Sequence, residues 1–183
     1  MNLSEKKHSI GIDLGSSSVK MTLINLINGE NIDTVTYPQK EMKIESPKKG
    51  WAEQDPQLWW NCVKECFYFL KKRNNLQSVI SIGISYQMHG LVAIDDNGDI
   101  LFPSIIWCDS RAIKIGEDAN KKLSKSLISD HLLNSPGNFT ASKLRWVKEN
   151  NLNEYSSIYK FMLPGDYLLF KICMIVVWGF ILN

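Results

Sequence analysis

The chain has 183 residues, 44% of them hydrophobic and 22% charged, with a formal net charge of +2. This suits one large or two small globular domains that bury roughly 70% of the unfolded surface, and the near-neutral balance gives no basis for a nucleic-acid or membrane partner. Four cysteines (Cys62, Cys66, Cys108 and Cys173) form no disulfide framework, and three histidines apart from any cysteine cluster argue against a zinc site. The polar stretch from Met1 to Ser9 is followed by no signal-like apolar run, so a cytoplasmic protein is expected.

The first element is an alternating strand with Ile10, Ile12 and Leu14 on one face. It breaks at Gly15-Ser16-Ser17-Ser18 and resumes through Val19, Met21 and Leu23. A turn this rich in hydroxyls and accessible N–H groups has two readings. It is an ordinary hairpin with an exposed aspartate, or a donor nest for phosphate oxygens on which Asp13 holds a hydrated Mg²⁺. A third strand is expected from about Asn31 to Pro38, after the Asn28-Gly29 turn. Beyond a Pro47–Gly50 loop, Asp55 and Pro56 open a helix whose inward stripe reads Trp59, Val63, Phe67 and Leu70. Its basic end, Lys71-Lys72-Arg73, suits the negative pole of the helix dipole. Cys62 and Cys66 share a face of that helix and read as packing residues.

Val79–Ser85 is apolar on both faces, which predicts a central, buried strand. Tyr86–Gly90 is the turn at its end. Leu91–Ile94, an Asp96-Asn97-Gly98 turn and Ile100 onward predict a hairpin. Helices are expected from about Arg111 to Lys122 and after a Thr140 cap, with Leu144 and Val147 inward. One more element starts behind Pro164-Gly165. The class is mixed α/β.

Neither a G-x-x-x-x-G-K-[ST] loop nor a G-x-G-x-x-G fingerprint is present. Several stretches taken in order nevertheless form a known pattern. They are Asp13 to Ser18, then Gly50-Trp51-Ala52-Glu53-Gln54-Asp55-Pro56 with Trp59-Trp60, then Gly83 to Gly90 with its Met88-His89-Gly90 turn. Ile106-Trp107-Cys108-Asp109-Ser110-Arg111, Gly137 to Leu144 and Leu163-Pro164-Gly165-Asp166-Tyr167-Leu168 complete it. From about Ile10 to Lys171 the chain resembles the N-terminal domain of the FGGY carbohydrate kinases, and within them the xylulokinase branch.

That resemblance implies an incomplete actin-like, RNase H-like ATPase domain of the sugar kinase–hexokinase–Hsp70 superfamily, a mixed sheet with flanking helices. It also implies ATP and Mg²⁺ as cofactors and D-xylulose or a related ketose as substrate, with the γ-phosphoryl going to the sugar's terminal hydroxyl. A homodimer is implied for full-length members. Asp13 inherits the phosphate–metal position, with Gly15, Ser16, Ser17 and Ser18 as the phosphate loop. Met88 and His89 inherit sugar contacts. For His89 the bland alternative is a loop histidine making a structural hydrogen bond, and for Trp107 a sugar-stacking face stands beside a core tryptophan. Asp109 and Arg111 reach the same cleft or pair with each other, and Trp51, Trp59 and Trp60 read as core.

After Lys171 the pattern stops. Residues 172–183 are uncharged and mostly apolar, too few for a span of roughly 20 residues, and read as neither a docking helix nor a stop-transfer segment. The expected organisation is a family N-terminal domain over 1–171, an aberrant tail over 172–183 and no C-terminal domain. The family's catalytic aspartate lies beyond this point, so the chain alone is expected to be inactive. The alternatives are a non-catalytic ketose-binding module or a kinase for a related pentulose or polyol.

Overall fold

A computed structural model describes residues 7–132 and 135–181. Along the chain run β1 (His8–Leu14), β2 (Val19–Asn25), β3 (Asn31–Tyr37), β4 (Glu53–Gln54), α1 (Pro56–Arg73), β5 (Val79–Tyr86), β6 (Val92–Ile94) and β7 (Ser104–Ile105). There follow α2 (Ile113–Lys122), α3 (Lys125–Leu127), α4 (Thr140–Asn150), α5 (Leu152–Ser157), β8 (Lys160–Met162) and α6 (Pro164–Ile181). A π turn at Ile128–Leu132 and a 3-10 turn at Pro136–Asn138 join α3 to α4. The chain divides into two units, one containing the stretches up to Lys43, Gln57–Gln87 and Leu168 onward, the other Ile44–Pro56 and Met88–Tyr167.

In the first unit the predicted hairpin forms, with Leu14 opposite Val19 and Asp13 opposite Lys20. The sheet order is β3-β2-β1-β5, antiparallel except for the parallel β1–β5 pair. Ile10, Ile12, Leu14, Val19, Met21 and Leu23 are buried, as alternation requires of one face. Helix α1 contributes buried Trp59, Cys62, Val63, Cys66 and Leu70 to the core. The Cys66 thiol lies 3.5 Å from the Val19 carbonyl and the Cys62 thiol 3.7 Å from Met42 Sδ, so both cysteines are packing groups. Arg73 grips the Asp33 carboxylate with two donors, fixing the helix end to β3.

Two expectations need correction here. Phe67 is 41% exposed, and the inward stripe runs through Cys66 instead. Strand β5 is an edge of the sheet, not its centre, and Ile80 and Ile82 are 63% and 47% exposed. A strand apolar on both faces becomes central only when something pairs with it on each side, and among the described residues β5 pairs with β1 alone.

The second unit has two short ladders, β4 with β7 and β6 with β8. Its core joins Leu91, Ile105 and Val147 with Phe102, Leu144, Trp146, Tyr155 and Ile158. The expected return strand at Ile100 reduces to a single bridge to Ile94, because β8 takes the ladder along β6. Gly116 of α2 sits so close to Gly137 that a Cβ there would lie 2.2 Å from the Gly137 Cα, which is why the helix can seat on that turn. Helix α6 continues to residue 181, so the backbone of residues 172–181 is helical, while 182–183 lie outside the described residues. Among the described residues no helix is long and apolar enough to cross a membrane.

Candidate functional site

Asp13 sits one residue from the end of β1, on the face opposite the buried Ile12 and Leu14. Register puts Lys20 of β2 on one side of it and Ser85 of β5 on the other. These three, with Thr22, Gly11 and Gly83, line a depression of about 410 Å³. A Cβ added at Gly11 or Gly83 would touch nothing within 4 Å, so the two glycines leave an open floor. The Asp13 carboxylate is exposed and enters no ion pair among the described residues.

The turn that follows is tight. The Gly15 N–H donates to the Ser18 carbonyl at 3.0 Å, and the Met42 N–H donates to the Ser17 carbonyl at 2.7 Å. Gly15 therefore closes the turn with its own amide, and its N–H is not a donor left over for phosphate; a Cβ there would press on the Ser18 carbonyl at 3.2 Å. Any phosphate contact falls to the neighbouring serines, of which Ser17 is exposed. No group of three His, Cys, Asp or Glu side chains among the described residues could cage a metal. A single free carboxylate beside a serine-rich turn fits Mg²⁺ held through water and carried on phosphate oxygens, which is how that ion is usually bound.

In the second unit, Met88-His89-Gly90 is held from several directions. His89 adopts φ +61°, the left-handed region a non-glycine residue enters only when its surroundings impose it. Its ring stacks on Phe139, with centroids 4.7 Å apart and planes 23° apart. Its carbonyl accepts from Lys143 Nζ at 2.6 Å, and the Gly90 carbonyl accepts from Thr140 Oγ1 at 3.2 Å. Burial, helped by the Lys143 charge, holds the His89 imidazole below its usual range, which favours the neutral form. The side-chain hydrogen bond weighed for His89 is replaced by a ring stack. Met88 beside it is 63% exposed. Thr140 is the first residue of α4 and not its cap; Phe139 takes the capping position without a side-chain bond.

Trp107 is 47% exposed and so does not belong to the core. Asp109 and Arg111 pair with each other. Asp109, wholly buried, accepts from Arg111 Nη2 at 2.7 Å and from the Ala52 N–H at 2.6 Å. Arg111 also donates to Glu53 at 2.7 Å, and its guanidinium lies 3.7 Å from the Trp51 ring centre. Trp59 and Trp60 are core, whereas Trp51 is a stacking platform for that cation.

Sequence reading missed Lys20, Phe139 and Lys143 as site residues. Lys20 was within reach, because a hairpin that pairs Leu14 with Val19 places Lys20 across from Asp13. Phe139 and Lys143 were not, since their partner His89 is some fifty residues away in the chain.

Comparison with known proteins gives a consistent picture. The model for the N-terminal domain of the FGGY family of carbohydrate kinases matches residues 8–177. The xylulose kinase of Staphylococcus xylosus is 34% identical over 164 residues, which are 89% of this chain and 33% of that protein. The Escherichia coli K12 xylulose kinase is 35% identical over 159 residues, 87% of this chain and 32% of its own. A solved xyloylose kinase from Brucella ovis superposes with a TM-score of 0.78 at 30% identity, covering 87% of this chain and 33% of that one. The chain thus spans about a third of the length of the curated relatives it matches.

Proposed function

The chain belongs to the FGGY family of carbohydrate kinases and has the actin-like ATPase fold, and from that premise we propose that its two sites serve phosphoryl transfer from ATP to the terminal hydroxyl of D-xylulose. Asp13 would hold Mg²⁺ through water, with Ser16, Ser17 and Ser18 toward the phosphate oxygens and Lys20 adding positive charge on the same face. The metal supplies charge neutralisation; phosphoryl transfer asks little more of the protein than positioning and matched charge. Met88 and His89 would contact the ketose, a neutral imidazole serving as hydrogen-bonding group beside a soft apolar side chain. Trp107 would offer an aromatic face to the sugar's C–H surface.

The observation that carries this reading is the His89 conformation. A left-handed, non-glycine residue with a flat aromatic ring beneath it and an exposed methionine beside it is a presented group, and such strain concentrates at functional sites. Calorimetric titration of the chain with D-xylulose tests it, with glycerol and a second pentulose as comparators. Saturable binding of D-xylulose, lost in His89→Ala, supports the reading. Equal binding of all three polyols would favour a kinase for a related pentulose or polyol instead.

In the family that the chain resembles, the catalytic aspartate is expected to follow the segment matched up to residue 171. We therefore propose that the 183 residues assayed by themselves bind ketose without turning it over. A coupled ADP-release assay with D-xylulose and Mg·ATP should show no sugar-dependent rate, and a clear rate would refute this.

A further inference from the structure

Lys143 lies in the first turn of α4 and is fully buried, with no carboxylate among the described residues in hydrogen-bond contact with its ammonium. Buried lysines are rare, and one without an ion-pair partner needs another reason to be there. Its Nζ donates to two backbone carbonyls, that of His89 at 2.6 Å and that of Asn138 at 2.7 Å. These short, charge-assisted bonds tie together two loops far apart in sequence. One carries His89 in its left-handed conformation; the other carries Phe139, on which the His89 ring is stacked. One ammonium thus fixes both the residue and the platform beneath it. Asp109, the buried acid whose charge acts on Lys143, is already engaged by Arg111 and the Ala52 amide, so Lys143 is not there to neutralise it.

We propose that Lys143 is a positioning residue for the ketose site, holding His89 in its strained conformation so that the imidazole is presented to the sugar. This rests on the reading of His89 as a substrate contact, while the clamp itself is independent of any substrate. Removing the donors leaves the His89 and Asn138 carbonyls without this partner and frees His89 to relax to negative φ. Phe139 then loses its register with the ring. Lys143 itself touches no reacting atom.

The test uses the full chain and its Lys143→Met and Lys143→Arg variants, with imidazole and backbone NMR signals of His89 followed beside calorimetric titration with D-xylulose. In Lys143→Met, D-xylulose affinity should fall at least tenfold, the His89 imidazole pKa should rise, and its backbone coupling should report negative φ. Lys143→Arg, which keeps charge and donors, should recover part of each effect. An unmoved His89 signature with unchanged affinity overturns the clamp. Moved His89 signals in a chain that never bound D-xylulose would keep the clamp and overturn the ketose reading. Should Lys143→Met fail to fold, the unsubstituted chain decides. The Lys143 ammonium protons must be protected from solvent exchange and show a cross-peak to the His89 loop; exchange at the free-lysine rate overturns the clamp.

Discussion

Asp109 holds Arg111 through both carboxylate oxygens and through the Arg111 backbone N–H, while the guanidinium carbon lies over the Trp51 ring, 3.7 Å from its centre. The same carboxylate takes the Ala52 N–H at 2.6 Å, so one buried acid joins residues 57 positions apart. With Glu53 as a second acceptor, the cation is satisfied on its edge and on its face. Asp109→Ala should therefore cost about 3–5 kcal/mol, because it strands a buried guanidinium and an amide. Urea denaturation measures this. Asp109→Ala combined with Arg111→Met should cost less than the two single costs added together, since the stranded charge is gone. Strict additivity would show that the pair is not coupled.

Gly90 and Gly83 look alike in sequence but not in space. A Cβ on Gly90 would lie 2.5 Å from Pro164 Cγ and 3.0 Å from its Cδ, on a ring with little freedom to retreat. Gly90→Ala should destabilise by about 1–3 kcal/mol and displace the His89 turn, weakening D-xylulose binding. Gly83→Ala meets nothing within 4 Å and should leave stability within ~0.5 kcal/mol of the parent. It narrows the depression beside Asp13, so any loss should be in nucleotide binding. Melting curves and paired titrations of the two variants separate these outcomes.

What the sequence made legible was local. The β1–β2 hairpin, the third strand, α1 with its proline start, and α2 all follow from alternation and turn residues over short windows. The failures have different causes. The stripe Trp59, Val63, Phe67 advances by four each time, and at 100° per residue it drifts 40° per step, so Phe67 has rotated out while Cys66 and Leu70 stay in. The position of β5 depends on which strands flank it, which its own residues do not encode. At the site, Asp13, Met88 and His89 stood out by motif. The groups that set their surroundings (Lys20, Phe139 and Lys143) act across register or across loops, and only the fold brings them near.

Lys143 makes stability depend on alkaline pH with a sign opposite to that of an ordinary salt-bridged lysine. Burial depresses its pKa from 10.5 to about 8; Asp109 and Cys108 oppose the shift and Arg111 adds to it. Below pH 8 the amine is charged in both folded and unfolded chains and the burial cost is borne in full. Between about pH 8 and 10.5 the unfolded chain binds the proton and the folded chain does not, so stability rises with pH, by up to ~3 kcal/mol from this group. The clamp survives deprotonation, because a neutral amine keeps two N–H donors for its two carbonyls. Urea midpoints at pH 7.5 and 9.5 should show the rise in the parent and not in Lys143→Arg, whose guanidinium does not titrate there. An equal rise in both would assign it to other groups.

Asp13 offers the sharpest separation of folding from chemistry. Its carboxylate is exposed and unpaired among the described residues, so Asp13→Asn should leave urea stability within ~0.5 kcal/mol of the parent. Its effect on nucleotide should change sign with the metal. On the proposed reading the carboxylate would hold the hydrated ion against the phosphates, so in Mg²⁺ its loss should weaken MgADP binding about tenfold or more. Without Mg²⁺ the same carboxylate only repels the polyphosphate, so Asp13→Asn should bind metal-free ADP more tightly than the parent. Lys20→Ala should weaken both forms, since a cation on that face attracts phosphate with or without the metal. Titration of the three proteins with ADP in Mg²⁺ and in EDTA decides the matter. If Asp13→Asn weakens ADP binding equally in both buffers, its role is not at the metal, and the depression beside Lys20 and Ser85 is not where the phosphates lie.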